Sequence, residues 1–188
     1  QIVELKTPLA NTPLDGYVLV FFNGTTGAGT ASYLSFDLDG KVTDINGNFL
    51  AGCVSVSPSP SLLINNGALQ IGPDVVALYS GNASDFPIGT VATATNLIDA
   101  VAYSNSATTS PSTMMGILGI STCYVDVQPL GSISKSIQRK SDGTYEVKAP
   151  TPKANNDLGG IPINYMTTTF DAASYTEGQP VNITFKTS

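Results

Sequence analysis

The chain has no histidine and only two cysteines among its 188 residues. Without an imidazole, it cannot form a serine–histidine or cysteine–histidine catalytic arrangement. Its cysteines, Cys53 and Cys123, belong to no Cys-x-x-Cys pair, which excludes zinc-finger and dithiol redox motifs. The sequence therefore predicts a protein that is not an enzyme and holds no cofactor, with calcium as the one alternative considered below.

Charged residues are also scarce, at 12% of the chain, which is about half the usual share. Acidic residues outnumber basic ones by 14 to 8, which gives a net charge of −6 and a pI near 4.3. Eight basic residues cannot build the positive stripe that a nucleic-acid backbone requires, so we expect no nucleic-acid partner. Five of them are interpreted as solvated positions on or near the last strands of the body: Lys135, Arg139, Lys140, Lys148 and Lys153.

No apolar stretch reaches the roughly 18 residues that a membrane-spanning helix needs, so we expect no membrane insertion. The chain starts at Gln1 with neither an initiator methionine nor a signal peptide, and we expect a processed product. Thr, Ser, Asn and Gly supply most of the polarity. That texture is typical of extracellular β-proteins and predicts a secreted or cell-surface location.

The apolar residues occur in short runs rich in Val, Ile, Tyr and Phe, separated by Gly, Asn, Asp and Pro. Residues 17–24 are almost entirely apolar, which predicts a central strand buried on both faces. Turn signals recur roughly every 8–12 residues, the rhythm of an all-β sandwich or barrel. Only residues 110–118 predict a helical turn. The other predicted strands are residues 2–5, 32–40, 48–56, 75–79, 96–104, 123–130 and the pair SISKSIQR and TYEVK.

Four segments, taken in order, resemble the lamin tail domain family, in its extracellular or secreted type. They are VELKTPLANTPLDGYVLVFFNG, GPDVVALYSGNASDFP, NLIDAVAYS and SIQR…DGTY…APTPKANN. The resemblance covers residues 1–156 and implies an immunoglobulin-like β-sandwich that is not itself an enzyme. Such domains occur in nuclear lamins and as accessory modules of secreted or surface proteins. Two departures stand out: the family's first strand is missing before IVEL, and Lys153 stands where glycine is usual.

Residues 157–188 lie outside the family pattern and are predicted to be a linker and a C-terminal extension strand. In that strand Val181, Ile183 and Phe185 alternate with polar residues, and one strand cannot bury its own apolar face. The missing first strand should leave an open sheet edge beside residues 2–5. We expect the tail to fill such an edge, within one chain or between neighbours, where head-to-tail exchange would give polymers. The alternative is that the tail begins a further domain.

Three kinds of site are predicted from short patterns. A disulfide between Cys53 and Cys123 is favoured by the secreted composition, with two buried thiols as the alternative. Asp37, Asp39, Asp44 and Asn46 lie close enough in sequence to hold Ca²⁺, but they miss the EF-hand register, so two turns, at 39–40 and 46–47, are the favoured interpretation. Asn23, Asn82 and Asn182 begin glycosylation sequons, which matter only in a eukaryotic secretory protein.

These observations predict a non-enzymatic structural or adhesive protein that acts through protein–protein contacts. Its partners include a second copy of itself, reached through the C-terminal strand. The alternative is an accessory module that binds Ca²⁺ or a glycan for a larger secreted enzyme.

Overall fold

The computed structural model describes residues 1–24, 30–125 and 135–157, together with the backbone of two strands at 167–170 and 183–186. Across these residues the chain is almost entirely β, with one short helix, α1, at Ser112–Leu118 and a 3₁₀ turn at Ala83–Asp85. The predicted all-β class is confirmed. The strands are β1 Ile2–Lys6, β2 Tyr17–Asn23, β3 Ala31–Asp37, β4 Asn48–Gly52, β5 Leu62–Leu63, β6 Asp74–Ser80, β7 Leu97–Ser104, β8 Cys123–Val125, β9 Ser136–Arg139, β10 Tyr145–Lys148, β11 Thr167–Phe170 and β12 Ile183–Lys186.

The largest sheet has five strands in the order β3-β2-β6-β7-β8. All neighbours are antiparallel except β7 and β8, which run parallel. The central strand β2 is buried from Val18 to Phe22, as its unbroken apolar run predicted. A strand with packed layers on both faces has no position for a polar side chain.

One face of this sheet carries the larger core, in which Val20, Phe22 and Tyr79 pack beside Met114 and Leu118 of α1. The helix ends at Gly119, whose φ of 71° lies in the left-handed region that glycine adopts without strain. None of the helices in the described residues is long and apolar enough to span a membrane.

A three-stranded sheet, ordered β1-β4-β5, packs on the other face. Phe49 and Ala51 of β4 form a second core cluster with Leu14 and Leu38, and Tyr17 and Leu78 of the large sheet pack against it. In the described part of the chain β1 pairs only with β4, so β1 is an edge strand of this sheet. It contains residues 2–5, beside which an open edge was expected.

The tail belongs to a separate compact unit, Asn155–Ser188. Its strand β12, which contains Ile183 and Phe185, pairs antiparallel with β11, so that Phe185 lies opposite Thr168. The strand β11 was not predicted from the sequence, and the filling of an open sheet edge by the tail stays a prediction. Val181 and Asn182 lie outside the described residues.

The predicted disulfide is wrong, because both cysteines are free thiols. Cys53 follows β4 of the three-stranded sheet, whereas Cys123 begins β8 at the edge of the five-stranded sheet. The Cys53 Sγ lies 3.5 Å from the Ser55 Oγ, and this hydrogen bond is the main cause that lowers the pKa of the thiol. Burial raises the pKa of the Cys123 thiol, which packs against the larger core cluster, the one that contains Met114 and Leu118 of α1. The separation of the two cysteines in sequence and their even number do not indicate which sheet each cysteine lies beside.

The closing segment follows the hairpin of β9 and β10 and contacts the three-stranded sheet. The Lys153 N–H donates to the Glu4 Oε2 at 2.6 Å, and the Lys153 Nζ donates to the Ser59 carbonyl at 2.9 Å. Lys153 has a φ of 57°, in the left-handed region. The glycine that the lamin tail pattern has here thus coincides with a position where a Cβ is strained.

Replacing Lys153 by glycine is expected to give a more stable protein than replacing it by alanine, by about 0.5–1 kcal/mol. Both variants lose the Nζ hydrogen bond and keep the backbone one, so the difference isolates the left-handed conformation. Urea unfolding of the two variants measures it. Equal stabilities would show that this φ costs the chain nothing.

Candidate functional site

An open cleft of about 340 Å³ lies beside the start of β7, the end of α1 and the hairpin of β9 and β10. We call it the tyrosine cleft. Its volume falls at the small end of the range for ligand sites, about 300–1,000 Å³. Its lining residues are Leu97, Ile98, Asp99, Ala100, Leu118, Gly119, Ile120, Ser121, Thr122, Tyr124 and Tyr145.

Two tyrosines form one wall of the cleft. Tyr124 lies in β8 and Tyr145 in β10, and their ring centroids are 4.9 Å apart with the planes inclined at 39°. Aromatic pairs at this separation are attractive by about 0.5–1.5 kcal/mol beyond the area they bury. The contact therefore joins the small hairpin to the edge of the large sheet, and it fixes both rings at the cleft.

A β-bulge shapes the opposite wall. Along β6 and β7, Leu78 pairs with Asp99 and Tyr79 pairs with Leu97, so Ile98 is an extra residue in β7. Bulges turn a side chain away from the regular alternation. The Ile98 side chain is 55% exposed as a result, and Asp99 is exposed next to it.

Burial and two nearby charges act on the pKa of the Tyr145 hydroxyl. Burial is the main cause that raises its pKa, and the charge of Asp99 raises it further. The charge of Arg139 acts in the opposite direction. One charge of each sign therefore acts on this hydroxyl.

A second group of polar residues centres on Asp74, which begins β6 and is only 1% exposed. Its Oδ1 accepts the Gly24 N–H at 3.1 Å, while its Oδ2 makes no hydrogen bond of good geometry within the described residues. The Gly72 N–H and the Tyr103 hydroxyl nevertheless lie near enough to the carboxylate to act on its pKa. A buried polar atom without a partner costs about 1–3 kcal/mol. Native proteins keep few such atoms, which makes this carboxylate notable.

Two tyrosines lie beside Asp74 and hold the loop before β6. The Tyr33 Oη accepts the N–H of Gln70, and the Tyr103 hydroxyl donates to the Gln70 carbonyl, each at 3.1 Å. Burial is the main cause that raises the pKa of Asp74 and of both tyrosines. For Tyr103, the neighbouring Tyr33 and Asp74 raise the pKa further. Burial therefore makes each of these groups harder to ionise than it is in water.

The four residues predicted for calcium lie in or beside turns, in which the carboxylates of the three aspartates accept backbone N–H groups. Asp37 accepts the backbone N–H groups of Asp39 and Ala83, at 2.9 and 3.1 Å. These bonds lower the pKa of the Asp37 carboxyl. Asp44 accepts the N–H groups of Asn46 and Asn48, both at 2.9 Å. Among the described residues no three acidic or cysteine side chains form a metal-binding group, so the geometry favours the turn interpretation.

Asp39 takes part in a reciprocal contact between two Leu-Asp-Gly tripeptides, 14–16 and 38–40. Its Oδ1 accepts the Gly16 N–H at 2.7 Å, and the Asp15 Oδ1 accepts the Gly40 N–H at 2.8 Å. Both glycines have positive φ, 75° for Gly16 and 70° for Gly40. The two turns thereby close one end of the β2–β3 pair, and each aspartate uses one carboxylate oxygen for the hydrogen bond to the other turn.

The predicted glycosylation sequons have different surroundings. Asn82 is exposed, at the start of the 3₁₀ turn. Asn23 is half-buried, and its Nδ2 donates to the Gln70 Oε1 at 2.7 Å. A glycan on Asn23 would break that hydrogen bond, so the surroundings favour Asn82 over Asn23.

Sequence reasoning missed both the tyrosine cleft and the Asp74 cluster. A bulge leaves no mark in the alternation of a nearly apolar strand, and the contact between Tyr124 and Tyr145 joins two distant segments. For Asp74 a signal did exist. The sequence GPDVVALY places an acidic residue directly at the head of an apolar strand, where a buried carboxylate is a natural outcome.

Comparison of the chain with protein-family models, with curated proteins and with solved structures finds no match in any of the three.

Proposed function

We propose that this chain is a non-enzymatic structural or adhesive protein of the cell surface or the secreted space, acting through protein–protein contacts. Its body would be a lamin-tail-like, immunoglobulin-like sandwich. Support for the sandwich comes from the two sheets, which share a core cluster of Leu14, Leu38, Phe49 and Ala51. Gly16, Asn96 and Lys153, which lie in the segments that carry the resemblance, all adopt positive φ, as turn positions do.

The observation that carries the contact function is a set of aliphatic side chains at the tips of two loops. Leu9 is 71% exposed and Ile45 is 72% exposed, and Val42 is also exposed. We call these three residues the loop-tip patch. Single exposed apolar residues are ordinary, but several on adjoining loops are typical of contact surfaces.

The loops that carry the patch are firmly tied together. The Thr7 N–H donates to the Gly47 carbonyl at 2.8 Å, and the Asn11 N–H donates to the Asp44 carbonyl at 3.0 Å. The buried Thr43 side chain accepts the Thr12 N–H at 2.8 Å. A surface that is ordered before binding loses little conformational entropy on contact, which favours recognition.

We propose a second copy of the chain as one partner, reached by strand exchange. The support is the combination of an edge strand, β1, with a tail that forms a two-stranded sheet, β11 and β12. An isolated two-stranded hairpin is marginally stable at best, so it gains by adding to another sheet. Head-to-tail addition between copies does not close on itself and gives polymers.

Replacing Leu9 and Ile45 together by serine is expected to weaken self-association about tenfold or more, because each buried aliphatic side chain contributes roughly 1.5–3 kcal/mol. Folding stability should change by less than about 0.5 kcal/mol per exposed site. Sedimentation velocity over a range of concentrations measures the association. Ile71→Ser is the matched control, because Ile71 is similarly exposed on another loop.

Deletion of residues 171–188 in the same experiment separates the two contact surfaces. If the deletion alone abolishes large particles, strand exchange carries the assembly. If the full chain and all variants are monomers at every concentration, self-assembly is wrong.

A second candidate function is favoured by the tyrosine cleft. The chain would then be an accessory module that binds a small ligand, Ca²⁺ or a glycan, for a larger secreted enzyme. The cleft favours the glycan over Ca²⁺, because Asp99 is the only acidic residue among its described lining residues. Calcium takes 6–8 oxygen ligands, often from several carboxylates.

A further inference from the structure

We propose that the tyrosine cleft binds one ring of a neutral carbohydrate. This inference deepens the second candidate function and rests on it. It does not depend on the loop-tip patch or on the tail, because no residue of either is among the described lining residues of the cleft.

The shape of the cleft sets the size of the ligand. A volume of about 340 Å³ that opens to solvent is at the lower limit for small-molecule sites. It suits one ring, held from one side, with the rest of the ligand in solvent. A sugar at the end or along the side of a longer chain meets this condition.

The lining matches a ring that is apolar on its faces and polar around its rim. Leu97, Ala100 and Leu118 provide an aliphatic floor, and the tyrosine pair provides a rigid wall. Tyrosine offers a large amphipathic contact area at little entropic cost, since its ring has only two rotatable bonds. The C–H groups of a pyranose carry a partial positive charge and face the negative surface of an aromatic ring.

Polar groups stand at the edge of the same cleft. The Asp99 carboxylate can accept hydrogen bonds from sugar hydroxyls, and bonds of this charge-assisted kind are stronger than neutral ones. Ser121 and Thr122 add two exposed hydroxyl groups, which make no side-chain hydrogen bond within the described residues. Donors and acceptors therefore surround an apolar floor.

The charges select a neutral ligand. Asp99 lines the cleft, and Arg139 lies directly opposite Tyr145 in the hairpin, so a charge of each sign lies near the Tyr145 ring, with opposite effects on the pKa of its hydroxyl. An anionic ligand would be repelled by Asp99, and a cationic ligand by Arg139. The balance also argues against an ammonium cage, in which two aromatic rings and a carboxylate act without an opposing cation.

The test is a titration of the ¹⁵N-labelled chain with methyl glycosides of glucose, galactose, mannose and N-acetylglucosamine, followed by amide chemical shifts. At least one sugar is expected to bind with a Kd of about 1 mM, as a ligand of about twelve non-hydrogen atoms at modest efficiency would. The shifted amides should belong to residues 97–100 and 118–124. Tyr145→Ala should weaken binding at least about tenfold, whereas Tyr145→Phe, which keeps the ring, should keep most of it.

Asp99→Asn should weaken binding severalfold, and the matched control Asp142→Asn, in the turn of the same hairpin, should leave it unchanged. The proposal is overturned if none of the four sugars changes the amide chemical shifts, or if the changes map to residues outside the cleft. It is also overturned if Tyr145→Ala leaves binding unaffected. Tetramethylammonium and phenol are titrated in parallel. If either binds in a Tyr145-dependent way and no sugar does, the ligand-binding module stands and the carbohydrate assignment is wrong.

Discussion

Replacing Asp74 by asparagine is expected to raise the free energy of unfolding at pH 7 by about 1–3 kcal/mol. The wild-type carboxylate is 1% exposed, and one of its oxygens has no hydrogen-bond partner in the described structure. Asparagine has nearly the same shape and carries no charge. Its amide oxygen can still accept the Gly24 N–H, and its NH₂ group can donate to the oxygen of the neighbouring Tyr103 hydroxyl, whose own hydrogen is donated to the Gln70 carbonyl. Most substitutions in a core destabilise, so a gain at this position would be diagnostic.

The advantage of the asparagine variant should depend on pH in a defined direction. Burial raises the folded-state pKa of Asp74 above its value in the unfolded chain, which is about 3.9. The folded state therefore holds the proton more tightly. The contribution of the protonated group is fully present below the unfolded pKa and is lost as the pH rises through the folded pKa. The two proteins should converge in acid and diverge toward neutral pH.

Urea unfolding of both proteins at a series of pH values measures this divergence. Asp142→Asn is the control of opposite sign, because hydrogen bonds from Thr144 lower the pKa of the exposed Asp142 carboxyl. Its contribution is present above the unfolded pKa and is lost as the pH falls through the folded pKa. If Asp74→Asn is no more stable than the wild type at pH 7, a partner such as bound water satisfies the carboxylate.

The main strands were predictable because their signals are local. A strand between two packed layers must be apolar throughout, and residues 17–24 have this property in the sequence alone. The same holds for the Asx turns of Asp37 and Asp44, because each carboxylate accepts the N–H group of the residue two positions on. These features needed no knowledge of distant partners.

The errors arose where a distant partner decides the outcome. Nothing in the sequence near Cys53 or Cys123 indicates that β4, which precedes Cys53, and β8, which begins at Cys123, belong to different sheets. The tail strand β12 was assigned without its partner, although the run Thr167–Phe170 is rich in β-branched residues, as strands are. The tyrosine cleft depends on a bulge at Ile98 and on a contact between Tyr124 and Tyr145, both set by tertiary packing.

The closing motif also combines distant partners, and it is centred on Gln138, which is 5% exposed in β9. Its Nε2 donates to the Ser136 Oγ at 2.8 Å and to the Ala149 carbonyl at 2.6 Å. Its Oε1 accepts the Thr151 hydroxyl at 2.9 Å. One amide group thus connects the start of the hairpin with the segment that leaves it.

Replacing Gln138 by alanine is expected to lower the free energy of unfolding by about 2–4 kcal/mol. Three hydrogen bonds are lost, each contributing about 0.5–1.5 kcal/mol, and buried partners left unpaired add to the loss. Ser136→Ala removes only one of the three bonds and should cost less than about 1.5 kcal/mol. Denaturant unfolding of the two variants tests this ranking, and equal losses would contradict it.

Gln138→Glu provides a pH-dependent test of the same network. An ionised glutamate can still accept from the Ser136 hydroxyl, but it has no donor for the Ala149 carbonyl and sets a carboxylate oxygen against that carbonyl oxygen. At neutral pH it should therefore be at least as unstable as the alanine variant. Burial beside carbonyl oxygens raises the pKa of such a carboxyl in the folded state. Protonation restores one donor, so stability should recover as the pH falls through that raised pKa. A glutamate variant with wild-type stability at neutral pH would show that the amide group does not hold the exit segment in place.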